Sequence, residues 1–495
     1  VQPGRSATRN PFAASRSQFL KSVYENFYRV YNPNAASRLG VVYTPSELVS
    51  FIIRSADVLC ESYFEKNLID RNVEIMDPAT GTGTFVVEFL EQYRGSQEKL
   101  AFKYQNELHA NEVAILPYYV ANLNIEATFS GITGHYQEFT NLCFVDTLDN
   151  TAPLTTRVGA QYDAFKGGMS SENVERIRRQ NDRRISVIMG NPPYYANQKN
   201  ENEANQSRSY PEVDKRIKDS YIKLSSARKP KAYDMYTRFI RWASDRLDEE
   251  GILAFVTNRS ILDGRSFDGF RRSVHQEFSE AYIIDLGGDV RVNPKLSGTK
   301  HNVFGIQTGI CITFLVKRQV NRPCRIFYGR RPEFEEADEK LSVLHNSTIS
   351  DICDTEITPD RFANWLNVVH NDYGDLVPLI SDDTKKQKIG HSSDSIFVTF
   401  GNGINTARDS WVFDLDHQSL VEKVQFFLRV FNRHKSNTER YSNEIKWSRN
   451  LKKKLKANKS EGFDGKNIRT CLYRPFIRRF IYGHLEKSRD PARSR

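Results

Sequence analysis

Ile185-Ser-Val-Ile-Met-Gly-Asn-Pro-Pro-Tyr194 is the stretch on which the reading of this chain turns. Ile185 to Met189 is an apolar run of strand length, and it leads straight into a polar tip, Asn191-Pro192-Pro193-Tyr194. Two consecutive prolines fix φ and carry no N–H, so the tip can neither extend a ladder nor coil into helix. Its carbonyls are left rigidly aimed. The Asn191 amide oxygen and the Pro192 carbonyl can both accept hydrogen bonds from one exocyclic amine, and the Tyr194 ring can stack on the base that carries it. An amine conjugated to a base is a poor nucleophile. Two acceptors that draw its hydrogens toward a pyramidal arrangement leave its lone pair facing a methyl donor. A proline-rich turn after a strand is the plain alternative for Asn-Pro-Pro alone. The strand before it and the tyrosine after it favour the chemical reading.

Upstream lies a second strand and turn. Val73-Glu-Ile-Met-Asp77 reads as a strand, Pro78-Ala79-Thr-Gly81-Thr-Gly83-Thr as its break, and Phe85-Val-Val-Glu-Phe-Leu90 as the start of a helix. That geometry lets a backbone approach a nucleotide-like ligand closely. Asp77 at the strand end disfavours a phosphate and suits an amino or hydroxyl group. The turn has no lysine, and no Gly-x4-Gly-Lys-Ser/Thr pattern occurs in the chain, which excludes a phosphate-binding loop. The next unit is a strand, Asn106-Glu-Leu-His-Ala-Asn-Glu112, followed by a helix to about Glu126. An acid at the end of a second strand commonly holds ribose hydroxyls; Glu112 is the candidate and Glu107 its rival. Asn141-Leu-Cys-Phe-Val-Asp146 is a third short strand ending in an acid.

The flanks complete the pattern. A helix is expected over 17–31, with an apolar stripe of Phe19, Leu20, Val23, Tyr24, Phe27 and Val30, and another after Thr44-Pro45-Ser46, buried through Leu48, Ile52, Ile53, Ala56 and Leu59. Strands follow at Gly251–Thr257 and Ala281–Gly287, and Asn302-Val-Phe304-Gly with Ile310–Val316 gives a strand-rich end. Alternating strands and helices predict an α/β fold with a Rossmann-like sheet, mixed but largely parallel, with an antiparallel hairpin at one edge and an α+β region beyond it. The expected divisions are an N-terminal arm and helix at 1–37, a catalytic domain at 38–330 containing a mobile loop at 196–231, a mixed region at 331–482 and a tail at 483–495.

At 495 residues, two or three domains are expected, and 39% hydrophobic content with 31 Phe and 23 Tyr can build a large core. No run approaches the roughly 18 apolar residues of a membrane span, and the N-terminal residues form no apolar signal core, so a cytoplasmic location without a membrane partner is expected. Cys60, Cys143, Cys311, Cys324, Cys353 and Cys471 have no CxxC spacing and read as reduced thiols rather than disulfides or zinc ligands; no metal is expected. A net charge of +10 suits a polyanion. Basic runs at 176–184, 215–231, 317–331 and 449–458 read equally well as solvated faces.

With these residues assembled, the chain resembles the amino (N6-adenine) DNA methyltransferases that use S-adenosyl-L-methionine. More narrowly, it looks like the methyltransferase part of the type ISP single-chain restriction-modification enzymes. The narrower resemblance rests on Val23-Tyr-Glu-Asn-Phe-Tyr28, Gly40-Val-Val-Tyr43-Thr44-Pro45, Met76-Asp-Pro-Ala-Thr-Gly-Thr-Gly-Thr-Phe85, Pro117-Tyr-Tyr-Val-Ala-Asn-Leu-Asn-Ile-Glu126, Thr406-Ala-Arg-Asp-Ser-Trp-Val412 and Tyr473-Arg-Pro-Phe476. The motif order is similar to the γ arrangement. The resemblance implies that Tyr43, Thr44 and Pro45 border the methionine end of the cofactor, that Asp77, Pro78, Ala79, Gly81 and Gly83 line its turn, that Glu112 binds its ribose and that Asp146 meets its adenine. It implies that Asn191, Pro192 and Pro193 hold the target amine of an adenine flipped out of double-stranded DNA, with Tyr194 and Phe304 packing on the base; for Phe304, core packing is the equal alternative. Such enzymes carry a nuclease and a helicase-type motor upstream and a target-recognition domain downstream. This chain has no comparable motor or nuclease motif, and residues 331–482 are expected to lead to a missing or truncated recognition domain. The Asn-Pro-Pro-Tyr tip also occurs in methyltransferases of RNA bases and of protein glutamine, so those substrates, and a non-catalytic DNA-binding or scaffold role, stay open on the residues alone.

Overall fold

The computed structural model describes residues 44–151, 170–193, 210–226, 233–290, 293, 295–296, 298–360, 363–366, 376–380, 395–397, 406, 408–434, 444–445, 447, 449–457, 462–473 and 477–483. The chain divides into two compact units, Val1–Val368 and Val369–Arg495. The helix expected over 17–31, Tyr43, Tyr194 and the tail beyond 483 lie outside the described residues.

The first unit is built on a nine-stranded sheet: β1 Ile75–Asp77, β2 Leu108–Glu112, β3 Leu142–Phe144, β4 Ile185–Gly190, β5 Leu247–Asn258, β6 Glu280–Gly287, β7 Ile310–Lys317, β8 Arg325–Arg330 and β9 Thr355–Ile357. Their spatial order is β3-β2-β1-β4-β5-β7-β6-β8-β9. The run from β3 to β5 is parallel throughout. β7 is antiparallel to both β5 and β6, while β8 runs parallel to β6 and β9 antiparallel to β8. The antiparallel element is therefore not only an edge feature: β7 lies inside the sheet between two strands made before it. Asn302–Gly305 is a turn leading toward β7 rather than strand, because its first residue bonds back into its own loop.

Side chains alternate between two cores, as the pleat requires. Ile252, Ala254 and Val256 of β5 join one cluster with Leu48, Phe51, Ile52 and Leu59 of helix α1, Ser46–Phe64. Leu253 and Phe255 join the opposite cluster. Helices on both faces of a mostly parallel sheet give a three-layer α/β arrangement. Burial on both faces explains why β4 and β5 read as continuous apolar runs. The helix α2, Thr84–Gln92, follows β1, and α3, Ile115–Thr133, follows β2.

The loop expected at 196–231 is corrected over its described part. Pro211–Ile217 is a helix, α4, which continues through a wider turn at Lys218–Ile222. Tyr210, Val213, Ile217 and Tyr221 are buried in the second core. Their spacing of three to four residues is a helical stripe hidden in a lysine- and serine-rich stretch. Asp214 takes Arg238 Nε and Nη2 at 2.7 and 3.0 Å, fastening α4 to the next helix, α5, Met235–Arg246. Much of the basic run at 317–331 is also internally paired: Arg318 and Arg322 with Glu280, Arg325 with Glu356, Arg330 with Glu333 and Arg331 with Glu335.

The second unit holds a three-stranded antiparallel sheet, β10 Phe413–Asp414, β12 Ile477–Tyr482 and β11 Ile468–Tyr473 in that order, packed with a helix over His417–Arg433 around Leu420, Val424, Phe427 and Phe431. Among the described residues no helix is long and apolar enough to cross a membrane.

Asp214→Ala leaves the buried Arg238 guanidinium without its carboxylate. The expected cost is about 3 kcal/mol of stability, read by urea unfolding, with faster hydrogen exchange over 211–222.

Candidate active site

The two stretches singled out in the sequence end side by side. β1 and β4 are parallel neighbours, with Ile75 opposite Val187 and Met76 opposite Ile188, so the Asp77 turn and the Asn191 tip leave the same edge of the sheet. They are close enough that a side chain at Gly190 would be crowded: a Cβ there would meet Asp77 Oδ1 at 3.0 Å and Pro78 Cδ at 3.4 Å.

The turn after Asp77 is held from several directions. Gly81 and Gly83 have φ of 57° and 88°, the left-handed region that favours glycine. Gly81 N donates to Glu112 Oε2 at 2.8 Å, and Ala114 N donates to Glu112 Oε1 at 2.7 Å. Thr80 N donates to Asn111 O at 3.0 Å, and Asn124 Nδ2 to Thr82 O at 2.9 Å. The Thr147 hydroxyl donates to Pro78 O at 2.6 Å and accepts from Asn111 Nδ2 at 3.2 Å. Asn111, Asn124 and Thr147 were not recognisable as site residues: each acts on backbone, and only Thr147 directly follows a singled-out acid.

Asp77 is almost fully buried. Its Oδ1 accepts from Ala79 N at 3.1 Å, and its Oδ2 has no hydrogen-bond partner among the described residues. Burial, with the Glu112 charge adding to it, raises its carboxyl to about 8 against the opposing pull of the Ala79 N–H. Burial also raises Glu112 to about 7, offset in part by three backbone N–H groups and reinforced by Asp146. A buried, unsatisfied carboxyl of this kind is a receptor for a cationic donor. The ammonium of S-adenosyl-L-methionine has that chemistry, so the Asp77 cradle fits the cofactor. Glu112 stands one strand away, at the end of β2.

Asp146 follows β3. Its Oδ1 accepts from Leu148 N at 3.2 Å, and its Oδ2 accepts from the Tyr210 hydroxyl at 3.1 Å. Tyr210, on the segment expected to be loop, thus belongs to this neighbourhood. On the other side, Asn191 Nδ2 donates to Thr44 Oγ1 at 2.9 Å, fixing the amide's orientation with Thr44 buried and Pro45 capping α1. Pro192 is buried and Pro193 half-buried. Phe304 lies on the β6–β7 loop, partly buried against the α1-side core, with its N–H held by Asn302 Oδ1 at 3.0 Å.

The sheet order and a glycine cradle beside a polar tip define a methyltransferase-type α/β unit. Residues 15–373 match the N-6 DNA Methylase family, and the chain belongs to that family. Residues 395–488 match the Type ISP C-terminal specificity domain, largely within the region expected to lead to a missing or truncated recognition domain. Among solved structures, the chain is 42% identical to the protein in a DrdV–DNA complex, covering 94% of this chain and 46% of that one with a TM-score of 0.82. It is 31% identical to LlaBIII, an ATP-dependent type ISP restriction-modification enzyme bound to DNA, covering 95% of this chain and 31% of that one with a TM-score of 0.81. It is also 31% identical to a nuclease-deletion mutant of the type ISP enzyme LlaGI with a DNA substrate mimic, covering 95% and 39% at a TM-score of 0.80. The chain therefore spans less than half the length of each of these proteins. No match is found among curated proteins.

An ammonium beside Asp77 favours its ionised form, so binding of S-adenosyl-L-methionine at neutral pH should release a proton. Affinity should rise from about pH 6 toward about pH 8 and fall again at higher pH as the ligand's own ammonium loses its proton. Calorimetry in two buffers of different ionisation enthalpy measures the release, and Asp77→Asn should lose most of it.

Proposed function

We propose that this chain transfers the methyl group of S-adenosyl-L-methionine to the N6 amine of an adenine turned out of double-stranded DNA, as the modification part of a restriction-modification enzyme. The observation that carries this reading is the close approach of Gly190 to Asp77, which sets the Asn191 tip against the Asp77 turn. Family membership and the DNA complexes of the proteins it is similar to support it. Any nuclease or helicase module belongs, on this reading, to the rest of the full-length protein, in the cytoplasm.

Each residue then has a task. Asp77 Oδ2 receives the cofactor ammonium, Glu112 the ribose hydroxyls and Asp146 the cofactor's adenine amine. Tyr43 and Pro45 border its methionine end, and Ala79, Gly81 and Gly83 shape the turn. When bound, the cofactor supplies a methyl group on a positively charged sulfur. Asn191 Oδ1 and the Pro192 carbonyl accept the two N6 hydrogens and turn the lone pair toward that methyl. Pro193 keeps the tip stiff, and Tyr194 stacks on the base. Thr44 borders the methionine end with Tyr43 and Pro45 and also accepts from Asn191 Nδ2, which keeps the amide oxygen toward the substrate. Neither acceptor is basic enough to take a proton beforehand, so the amine's proton leaves after the methyl group has moved.

The test is tritium transfer from labelled cofactor to DNA, RNA and protein in parallel. DNA should be labelled and the other two should not; label in RNA or protein instead would overturn the substrate assignment. Asn191→Ala should retain cofactor binding and lower transfer by about a hundredfold or more, the scale of a lost transition-state hydrogen bond. Undiminished transfer by that variant rejects the role given to the tip.

A further inference from the structure

The loop between β6 and β7 carries Phe304 and is held by buried polar groups that the proposed chemistry does not use. Lys340 is fully buried on a helix over Ala337–Asn346. Its ammonium donates to Leu286 O, near the end of β6, at 2.7 Å and to His301 O, in the loop, at 2.8 Å. No carboxylate lies within ion-pair distance of it among the described residues. Burial lowers its pKa from the ordinary lysine value. A charge buried on two carbonyls, with the Glu335, Glu333 and Asp285 charges near enough to favour it but not to pair with it, is an expensive way to fill space that a Met or Leu could fill.

Asn302 sits one residue beyond that anchor and is also buried. Its Nδ2 donates to Thr308 O at 2.8 Å and Gly288 O at 3.4 Å, and its Oδ1 accepts from Phe304 N at 3.0 Å and Ile306 N at 3.4 Å. All four hydrogen-bonding positions of the amide are thereby used on one loop. The two ends are pressed together: a Cβ on Gly288 would meet His301 O at 2.9 Å and Asn302 Cα at 3.1 Å. At the loop's far end, Arg259 N donates to Gly309 O at 2.9 Å, and the Arg259 guanidinium pairs with buried Asp285 at 2.9 Å. β5 ends at Asn258, opposite Ile310, and Phe255 of β5 faces Gly190, so this loop leaves the edge of the sheet that carries the Asn191 tip.

We propose that Lys340 and Asn302 are positioning residues that lock the β6–β7 loop so that Phe304 forms a wall for the extruded base. This rests on the reading that the chain methylates a flipped adenine. Neither residue touches the base. Each acts through the backbone that presents Phe304, and a polar network is used because it fixes one loop conformation where an apolar filling would permit several.

The experiment is a double-mutant cycle on the 495-residue chain, with unmethylated genomic DNA as substrate. Lys340→Met and Phe304→Ala should each lower kcat by about a hundredfold, the loss that a misplacement of about 1 Å can cause, with cofactor affinity unchanged. The double variant should be no worse than either single one, because both remove the same wall. Lys340→Arg, which keeps donors for the two carbonyls, should restore most of the rate. If Lys340→Met does not fold, Asn302→Asp, which loses the two Nδ2 donors, takes its place in the cycle. Losses that multiply in the double variant, or a Lys340→Met enzyme with normal kcat, overturn the inference. A wild-type chain that methylates no DNA overturns the base reading itself and this inference with it, a result distinguishable because it precedes any mutation.

Discussion

Everything at the active edge depends on two parallel strand ends meeting without an intervening side chain. Gly190 closes β4 directly against the Asp77 carboxylate, and that close approach fixes how far the Asp77 turn stands from the Asn191 tip. One added methyl group would have to push aside a buried carboxyl or a proline ring. The remainder of the site serves this constraint. Glu112 and Thr147 pin the turn from the β2 and β3 side, and Thr44 pins the tip from α1.

The electrostatics follow from the same crowding. Asp77 and Glu112 lie on adjacent strand ends, both short of water; the Glu112 charge makes ionisation of Asp77 harder, and Asp146 does the same to Glu112. Backbone N–H groups satisfy three of the four carboxylate oxygens and leave Asp77 Oδ2 unmatched. On the proposed reading, the cofactor ammonium supplies the partner that this buried acceptor lacks.

The sequence made the strands and the two motifs legible because parallel strands buried on both faces are apolar without interruption, and because prolines and glycines punctuate them. Thr44, Asp77, Glu112 and Asn191 could be named since each closes or opens an element. Asn111, Thr147 and Tyr210 could not, since their partners are set by which strands lie adjacent, and one-dimensional spacing does not carry that. The helix at 211–217 was hidden for a different reason: the four buried residues of the 210–221 stripe are diluted by lysines and aspartates that pair locally or point outward. The position of β7 was hidden as well, because a strand's period of two does not say which neighbours it will take.

The late arrival of β7 has its own consequence for how the chain is made. Until residues 310–317 have left the ribosome, β5 presents an unpaired and strongly apolar margin from Gly251 to Asn258, and β6 presents another. Such margins recruit strands from other molecules. Co-translational folding must hold the β5 margin open for some fifty residues, from the end of β5 to the start of β7, and the β6 margin for about the last twenty of them, so a nascent chain arrested in that interval exposes two edges open to aggregation.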